Sequence, residues 1–385
     1  MSSLYDALKL IPDYRHPKGT IYRLADLHFM MICAILCGMS DAVEIVEYIT
    51  WKFDEFQRLL GITRVPSHDT ISRVYIHTDW TYLTKHLHEW FEKNHSVESR
   101  LYQRMRVIHI DGKAIRSSAD KGAGEKPPYQ LNYMEEGRTI GIRSLPIMEK
   151  ENEITRIPDL LDFLDISGAI VTIDAIGCQK AIMRKILSKG GHFMFPVKEN
   201  QQRLLEAIKA ECRRLESVGG WDGLPKCRLQ RIDHGRAEEY RLTVIEDTSF
   251  LLEEFGTGDA FMNIGRIGVI EKTTTHKQSK RKETATTYVV TDLCSLEPES
   301  FLGIKLSHWN IEAQHWKLDV QLDEDHMRQR LGNSRTNSTA FRRLMLALAK
   351  SPEHPNWTVS KFRICCQNNF DMMVDSILRF RGTEN

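Results

Sequence analysis

Two apolar, strand-like runs in this chain end in a bare carboxylate: "VIHIDGKAIR" at Asp111 and "IVTIDAIGCQ" at Asp174. A carboxylate at the mouth of a buried strand is costly to desolvate unless a positive partner offsets the cost. Either aspartate alone reads as an ordinary turn residue. A third carboxylate, Glu312, lies in the middle of a helix expected over about 304–318, with His308 one turn before it and Trp316 one turn after. Two strand-end aspartates and a helical glutamate are hard oxygen donors, a set suited to Mg²⁺ or Mn²⁺ rather than zinc. Two such ions about 3.5–4 Å apart activate a water or hydroxyl and stabilise the leaving oxygen in phosphodiester cleavage. The expected catalytic and metal-binding residues are therefore Asp111, Asp174 and Glu312. The segment 311–325 also offers Asp319, Asp323, Glu324 and Asp325. Asp319, two turns along, can share the face of Glu312 and is the stronger competitor. The other three follow the expected helix as a loop-like acidic run, suited to solvation or capping.

Periodicity supplies the elements that must hold these groups. Residues 1–100 read as helical: Leu24, Leu27, Met31 and Ala34 recur at helical spacing, as do Val43, Val46, Ile49 and Phe53. Ser67 is a candidate N-cap for a short helix carrying Arg73, which fits either a DNA-recognition helix or one more bundle helix. From about 105 the pattern changes to β-β-β-α-β-α-β. The strands are "RVIHI", "YQLNYMEE", "RTIGIRSLPIM", "GAIVTI" and "HFMFPV"; the helices are "NEITRIPDLLDFL" and "CQKAIMRKILSKGG". This is an α/β sheet, and ligands of such sheets bind beyond the carboxyl ends of the strands. After a further helix, four alternating segments between 200 and 300 form a β-rich insertion, and from about 302 the chain is helical again.

Composition excludes little. The chain has 385 residues, enough for two or three domains or one large elaborated domain, with 53 basic and 52 acidic residues. A net charge of +1 carries no bulk signal for nucleic acid, so any such signal must be local. The eight cysteines form no C-x-x-C pair and read as buried apolar residues in a reducing compartment, not as a zinc knuckle. The N-terminus has no signal-peptide pattern. The longest apolar stretch carries Asp26 and His28 and is shorter than a membrane span, so a cytoplasmic protein with no membrane partner is expected.

The segments "HIDGKAIRSS", "ENEITRIPDLL", "VTIDAIGCQK", "FPVKENQ", "DHGRAEEYR", "HWNIEAQHWKLDVQLDED" and "NSTAFRRLMLALAK" make a specific match in order and spacing. With them the chain resembles the DDE transposases of bacterial insertion sequences, specifically the H-repeat-associated type, over nearly its whole length. The resemblance implies a ribonuclease-H-like catalytic core with a β-rich insertion, plus an N-terminal helical domain. The implied boundaries are 1–100 for the helical domain, used in DNA binding or assembly, 101–350 for the catalytic domain with its insertion at about 200–300, and 351–385 for a helical tail. Asp111, Asp174 and Glu312 become its metal-binding triad, with two Mg²⁺ or Mn²⁺ ions. The implied reaction is cleavage at the element ends followed by 3′-hydroxyl strand transfer into target DNA. The implied partners are double-stranded DNA, both transposon ends and target, and further copies of the chain as a dimer or larger on DNA. Two rival readings remain: a metal-dependent nuclease on the same fold, and a transposase-derived DNA-binding protein without chemistry.

Phosphate contacts must come from local charge. Residues 326–350 hold Arg328, Arg330, Arg335, Arg342, Arg343 and Lys350 with no acid, and "EKTTTHKQSKRKE" adds Lys272, Lys277, Lys280, Arg281 and Lys282. A basic run is usually a solvated face, but two of them flanking an acidic site suit a groove that tracks phosphates. Lys198 at a strand end and Arg236 in "DHGRAEE" are further candidates.

Overall fold

A computed structural model describes residues 3–18, 20–94, 99–115, 127, 129–147, 151–233, 236–276, 281–327, 329–350 and 357–378. The chain opens with six helices, α1 (Leu4–Lys9), α2 (Leu24–Leu36), α3 (Ala42–Trp51), α4 (Phe53–Leu60), α5 (His68–His77) and α6 (Trp80–Asn94). Helix α2 is apolar except for Asp26 and His28, and every one of its residues is buried, as befits the axis of a bundle. No helix among the described residues is long and apolar enough to cross a membrane. Ser67 caps α5 by accepting from the Thr70 amide, as its sequence suggests, and Ile71, Val74 and Tyr75 bury the inner face of that helix.

Then come β1 (Val107–Ala114), β2 (Tyr129–Glu135), β3 (Leu145–Ile147), α7 (Glu153–Phe163), β4 (Ile170–Ile173), α8 (Lys180–Ser188), β5 (His192–Val197) and α9 (Gln202–Ser217). The order matches the expected β-β-β-α-β-α-β. The insertion supplies β6 (Lys226–Asp233), β7 (Arg236–Ile245), α10 (Phe250–Phe255), β8 (Arg266–His276) and β9 (Lys282–Thr291). Its strands do not form a separate sheet. β9 pairs antiparallel with β5, giving one nine-stranded sheet in the order β3-β2-β1-β4-β5-β9-β8-β7-β6. β1, β4 and β5 are mutually parallel, and all other pairings are antiparallel.

The chain ends with α11 (Pro298–Ser307), α12 (Trp309–Leu322), α13 (Ser334–Ala349), α14 (Val359–Asn368) and α15 (Phe370–Leu378). The single helix expected over 304–318 is thus two. The Ser307 hydroxyl bonds back to the Ile304 carbonyl, a bond that bends helices, and the His308 side chain reaches across to Thr172. Glu312 consequently lies in the first turn of α12 rather than mid-helix.

Three apolar clusters hold the fold together. One joins the N-terminal helices to α12–α15, so the two ends of the chain share a core. The second covers one sheet face with α7, α8 and α9, using Ile108 and Ile110 of β1. The third lies on the opposite face under α11, with Val107, Ile170, Phe301 and Ile304. Because side chains alternate along a strand, His109, Asp111 and Lys113 share the face of Val107. They form a polar stripe under α11 and α12. All eight cysteines are free.

Candidate active site

The parallel pairing of β1 with β4 ends at Ile110 opposite Ile173, so Asp111 and Asp174 are the next residues on adjacent strands. Asp111 is still paired across β2 to Asn132, whereas Asp174 leaves the sheet as the cap of a one-turn 3₁₀ helix, accepting from the Ile176 amide at 3.1 Å. Glu312 reaches the same place from α12. The charge of Asp111 acts on both of the others. Partial burial first, then the charge of Asp111, push Asp174 above its ordinary range, against the opposing backbone bond from Ile176. The same two causes, in that order, push Glu312 up, with a smaller push from Asp174 and opposition from His315 and Lys305. Asp174 and Glu312 are exposed, and Asp111 is half-buried.

A fourth carboxylate belongs to this cluster. Glu153, at the start of α7, is raised by burial and then by Asp174, with Asp111 adding to the effect. The Tyr129 hydroxyl bonds to it, and burial followed by Glu153 takes that phenol up to about 12. Glu153 fits here because position 112 is glycine. A Cβ there would run into the Glu153 carboxylate and the Tyr129 ring. Lys305 of α11 is the positive neighbour of Glu312, and Lys198, just past β5, is the one nearest Asp174. Glu153 and Lys305 were not expected from the sequence. Asn152 caps the start of α7, but nothing local in the sequence shows which way Glu153 points.

Beneath the carboxylates the polar stripe of β1 meets α11 and α12 through three sets of buried contacts. His109 lies 2.7 Å from the Thr172 hydroxyl, which lies 2.8 Å from His308; burial pushes the His308 imidazole down to about 3, so it is neutral. Glu136 faces His109 at 3.1 Å and accepts from Asn310; burial alone would raise this carboxyl, but those bonds hold it below its usual range. At the next step His315 Nδ1 lies 3.4 Å from Asp111 Oδ2, and His315 Nε2 lies 2.9 Å from Asn132 Nδ2. Last, Lys113 Nζ reaches Asp319 and Glu324, each at 2.5 Å.

This last set corrects two expectations. Asp319 is spent on Lys113 and does not compete with Glu312. Glu324 is not a solvated loop residue: it is fully buried, and Lys113, Arg343 and Arg342 outweigh the burial that would raise it. A correction applies also to Arg342 and Arg343, expected in a phosphate groove. Both lie inside α13, all but inaccessible to solvent. Arg342 donates to the carbonyls of Leu322 and Ser338, and Arg343 to Gln130 and Asn132. They neutralise Glu324 and tie helices to the sheet, so they are not available to DNA.

The other basic candidates stay outside. Arg236 opens β7, and Lys282 opens β9 opposite Thr275; both are exposed, and Arg281 is ion-paired with Glu283. Because β9 starts six residues before Tyr288, the residue paired with Val197 at the end of β5, its tip projects about 20 Å past β5 at ~3.4 Å per residue. That is the end of the sheet at which Asp111 and Asp174 lie. Lys280 and Arg328 lie outside the described residues.

A divalent ion at this site is a matter of donor chemistry. Asp111, Asp174 and Glu312 offer acceptor oxygens only, and the charge of Asp111 raises the other two, which is the charge pattern a hard cation relieves. Among the described residues no three His, Cys, Asp or Glu side chains are gathered closely enough to hold a metal, so the fit rests on donor type and charge.

Comparison with known proteins places the chain. A model of the transposase DDE domain matches residues 79–346, and one described as DDE_Tnp_1-associated matches residues 5–91. The chain is 30% identical to "H repeat-associated putative transposase YhhI" of Escherichia coli (strain K12), over 87% of this chain and 86% of that one. It is 29% identical to "Putative transposase YncI" of Escherichia coli O157:H7, over 91% and 88% of the two chains. A Xanthobacter autotrophicus protein named only by its place in the "dhlA 3'region" is 30% identical over 64% of this chain and 81% of that one. The chain belongs to the family of transposases with a DDE domain, of the H-repeat-associated type.

Proposed function

We propose that this protein is an insertion-sequence transposase that cuts DNA at the ends of its element and joins the freed 3′-hydroxyl to target DNA, both at Asp111, Asp174 and Glu312. The observation that carries the reading is the meeting of three carboxylates from β1, the end of β4 and α12 at one sheet end, where the charge of Asp111 raises both Asp174 and Glu312. The strand order β3-β2-β1-β4-β5, with β2 alone antiparallel to the other four, supports a ribonuclease-H-like core extended by the insertion. We take 1–100 as an assembly or DNA-binding region, 101–350 as the catalytic region and 351–385 as a tail.

Asp111, Asp174 and Glu312 would hold two Mg²⁺ or Mn²⁺ ions, which would supply a polarised water or hydroxyl and charge stabilisation for the departing oxygen. Glu312 lies in the first turn of α12. Lys198 and Lys305 offset the repulsion between the acidic centre and the DNA backbone. Arg236 and Lys282 on the projecting strands add phosphate contacts away from the chemistry. Synapsis of two element ends calls for a dimer or larger on DNA.

The test is incubation of the purified protein with DNA carrying the sequences that flank its gene, a labelled target duplex and Mg²⁺. Nicks with a free 3′-hydroxyl and joined products are expected, and both vanish with chelator. Cleavage without joined products would make the protein a nuclease, and binding without cleavage would remove the chemistry.

A further inference from the structure

The least explained feature of the site is a buried arginine wired toward its central aspartate. Arg343 Nη2 donates to Asn132 Oδ1 at 2.6 Å and to Gln130 Oε1 at 3.1 Å. Asn132, itself fully buried, meets His315 Nε2 with its Nδ2 at 2.9 Å. His315 Nδ1 then faces Asp111 Oδ2 at 3.4 Å, and Asn132 and Asp111 are directly paired across β1 and β2.

The direction of this chain is fixed from its buried end. A guanidinium can only donate, so the amide atom it meets must be the Asn132 oxygen. The other amide atom is then the NH₂, which can only donate, so His315 Nε2 must be the acceptor. A neutral imidazole accepting at Nε2 carries its proton on Nδ1, the nitrogen aimed at Asp111. At 3.4 Å the contact is a close approach of Nδ1 to the carboxylate rather than a formed hydrogen bond. No other arrangement of protons satisfies all three contacts.

We propose that Arg343, Asn132 and His315 form a positioning relay that fixes the His315 tautomer and, through it, holds the Asp111 carboxylate toward the helix that carries Glu312. His315 and Asn132 are positioning residues, since neither is placed to touch DNA, and their role in the reaction rests on the proposed transposase function. His315 belongs to α12, so the relay also sets how far Glu312 stands from Asp111. Partners of this kind, one bond removed from a ligand, typically change metal affinity or activity by about 10–100-fold when lost.

The test is the tautomer, read by long-range ¹H–¹⁵N correlation on full-length protein labelled at histidine nitrogen, at about pH 8, where an ordinary imidazole is neutral. The His315 signals are those missing from His315→Asn. The expected wild-type result is a proton on Nδ1. In Asn132→Asp the carboxylate still accepts from Arg343 but now also accepts from His315, so the proton should appear on Nε2. A wild-type proton on Nε2, or a tautomer unchanged in Asn132→Asp, overturns the relay. If Asn132→Asp does not fold, the wild-type spectrum decides alone. In the cleavage assay His315→Ala should lose roughly 10–100-fold, and His315→Asn, which keeps an N–H at the Nδ1 position, should recover most of it; cleavage by His315→Ala at the wild-type rate also overturns the proposal. A protein that cuts no DNA but shows the expected tautomers keeps the relay and removes the transposase activity.

Discussion

Lys113→Met should strand a buried carboxylate, and its cost follows from what surrounds Glu324. That side chain is fully inaccessible, Lys113 is its direct partner at 2.5 Å, and its Oε1 has no hydrogen-bond partner. Removing one member of such a pair costs about 3–5 kcal/mol, because the remaining charge stays desolvated. Arg342 and Arg343 act on Glu324 electrostatically and keep the loss toward the lower figure. Glu324→Gln alone is gentler: Lys113 keeps Asp319, whose side chain is 29% exposed, so roughly 1–3 kcal/mol is expected. The double variant Lys113→Met/Glu324→Gln no longer buries the Glu324 charge without its lysine. It should therefore be more stable than Lys113→Met, a reversal of sign that simple loss of contacts does not give. Urea unfolding followed by both tryptophan fluorescence and circular dichroism measures this, provided the two probes agree and the m-values are unchanged. Additivity of the two single changes within about 0.5 kcal/mol would refute the buried pair.

Three further outcomes are expected. Asp174 and Glu312 are held above their ordinary range by partial burial and by Asp111, so the fold favours their protonated forms. Their stabilising contribution is present at low pH and is lost as pH rises through the folded-state values. In chelator at pH 7, Asp174→Asn and Glu312→Gln should therefore melt above the wild type, and the gain should vanish below about pH 4, near the ordinary carboxylate value; variants that melt lower at pH 7 would contradict the crowding. Arg236→Ala with Lys282→Ala should reduce the slope of log affinity against log salt by about 2, at roughly 0.9 per phosphate contact, and leave the melting temperature unchanged. Arg343→Ala should instead lower the unfolding midpoint sharply, whereas unaltered stability with weaker DNA binding would return that residue to the DNA surface.

Much of the site's frame was legible because strand signals are local. The apolar runs ending at Asp111 and Asp174 fix both the strands and the end at which the carboxylates emerge. The break at His308 was not legible, since its backbone stays helical at φ −54° and ψ −30° and what draws its side chain away is Thr172, 136 residues distant in sequence. Arg342 and Arg343 misled for the same reason. A basic helix reads as solvated until Asn132, more than 200 residues earlier, is seen to receive Arg343. Glu324 looked like part of an acidic loop because Lys113, its partner, comes from β1. The insertion read correctly as strands, but pairing of β9 with β5, which merges it with the main sheet, leaves no local mark.

The central claim is that Asp111, Asp174 and Glu312 together make a divalent-cation site, and Mn²⁺ binding tests it without knowledge of the DNA ends. The free Mn²⁺ resonance, followed by electron paramagnetic resonance, should fall on addition of wild-type protein. Asp111→Asn, Asp174→Asn and Glu312→Gln should each weaken binding at least about tenfold, while Asp323→Asn leaves it unchanged, because each member of the triad supplies a ligand. Undiminished Mn²⁺ binding by all three triad variants would contradict the account and return these carboxylates to ordinary strand-end and helix-face roles.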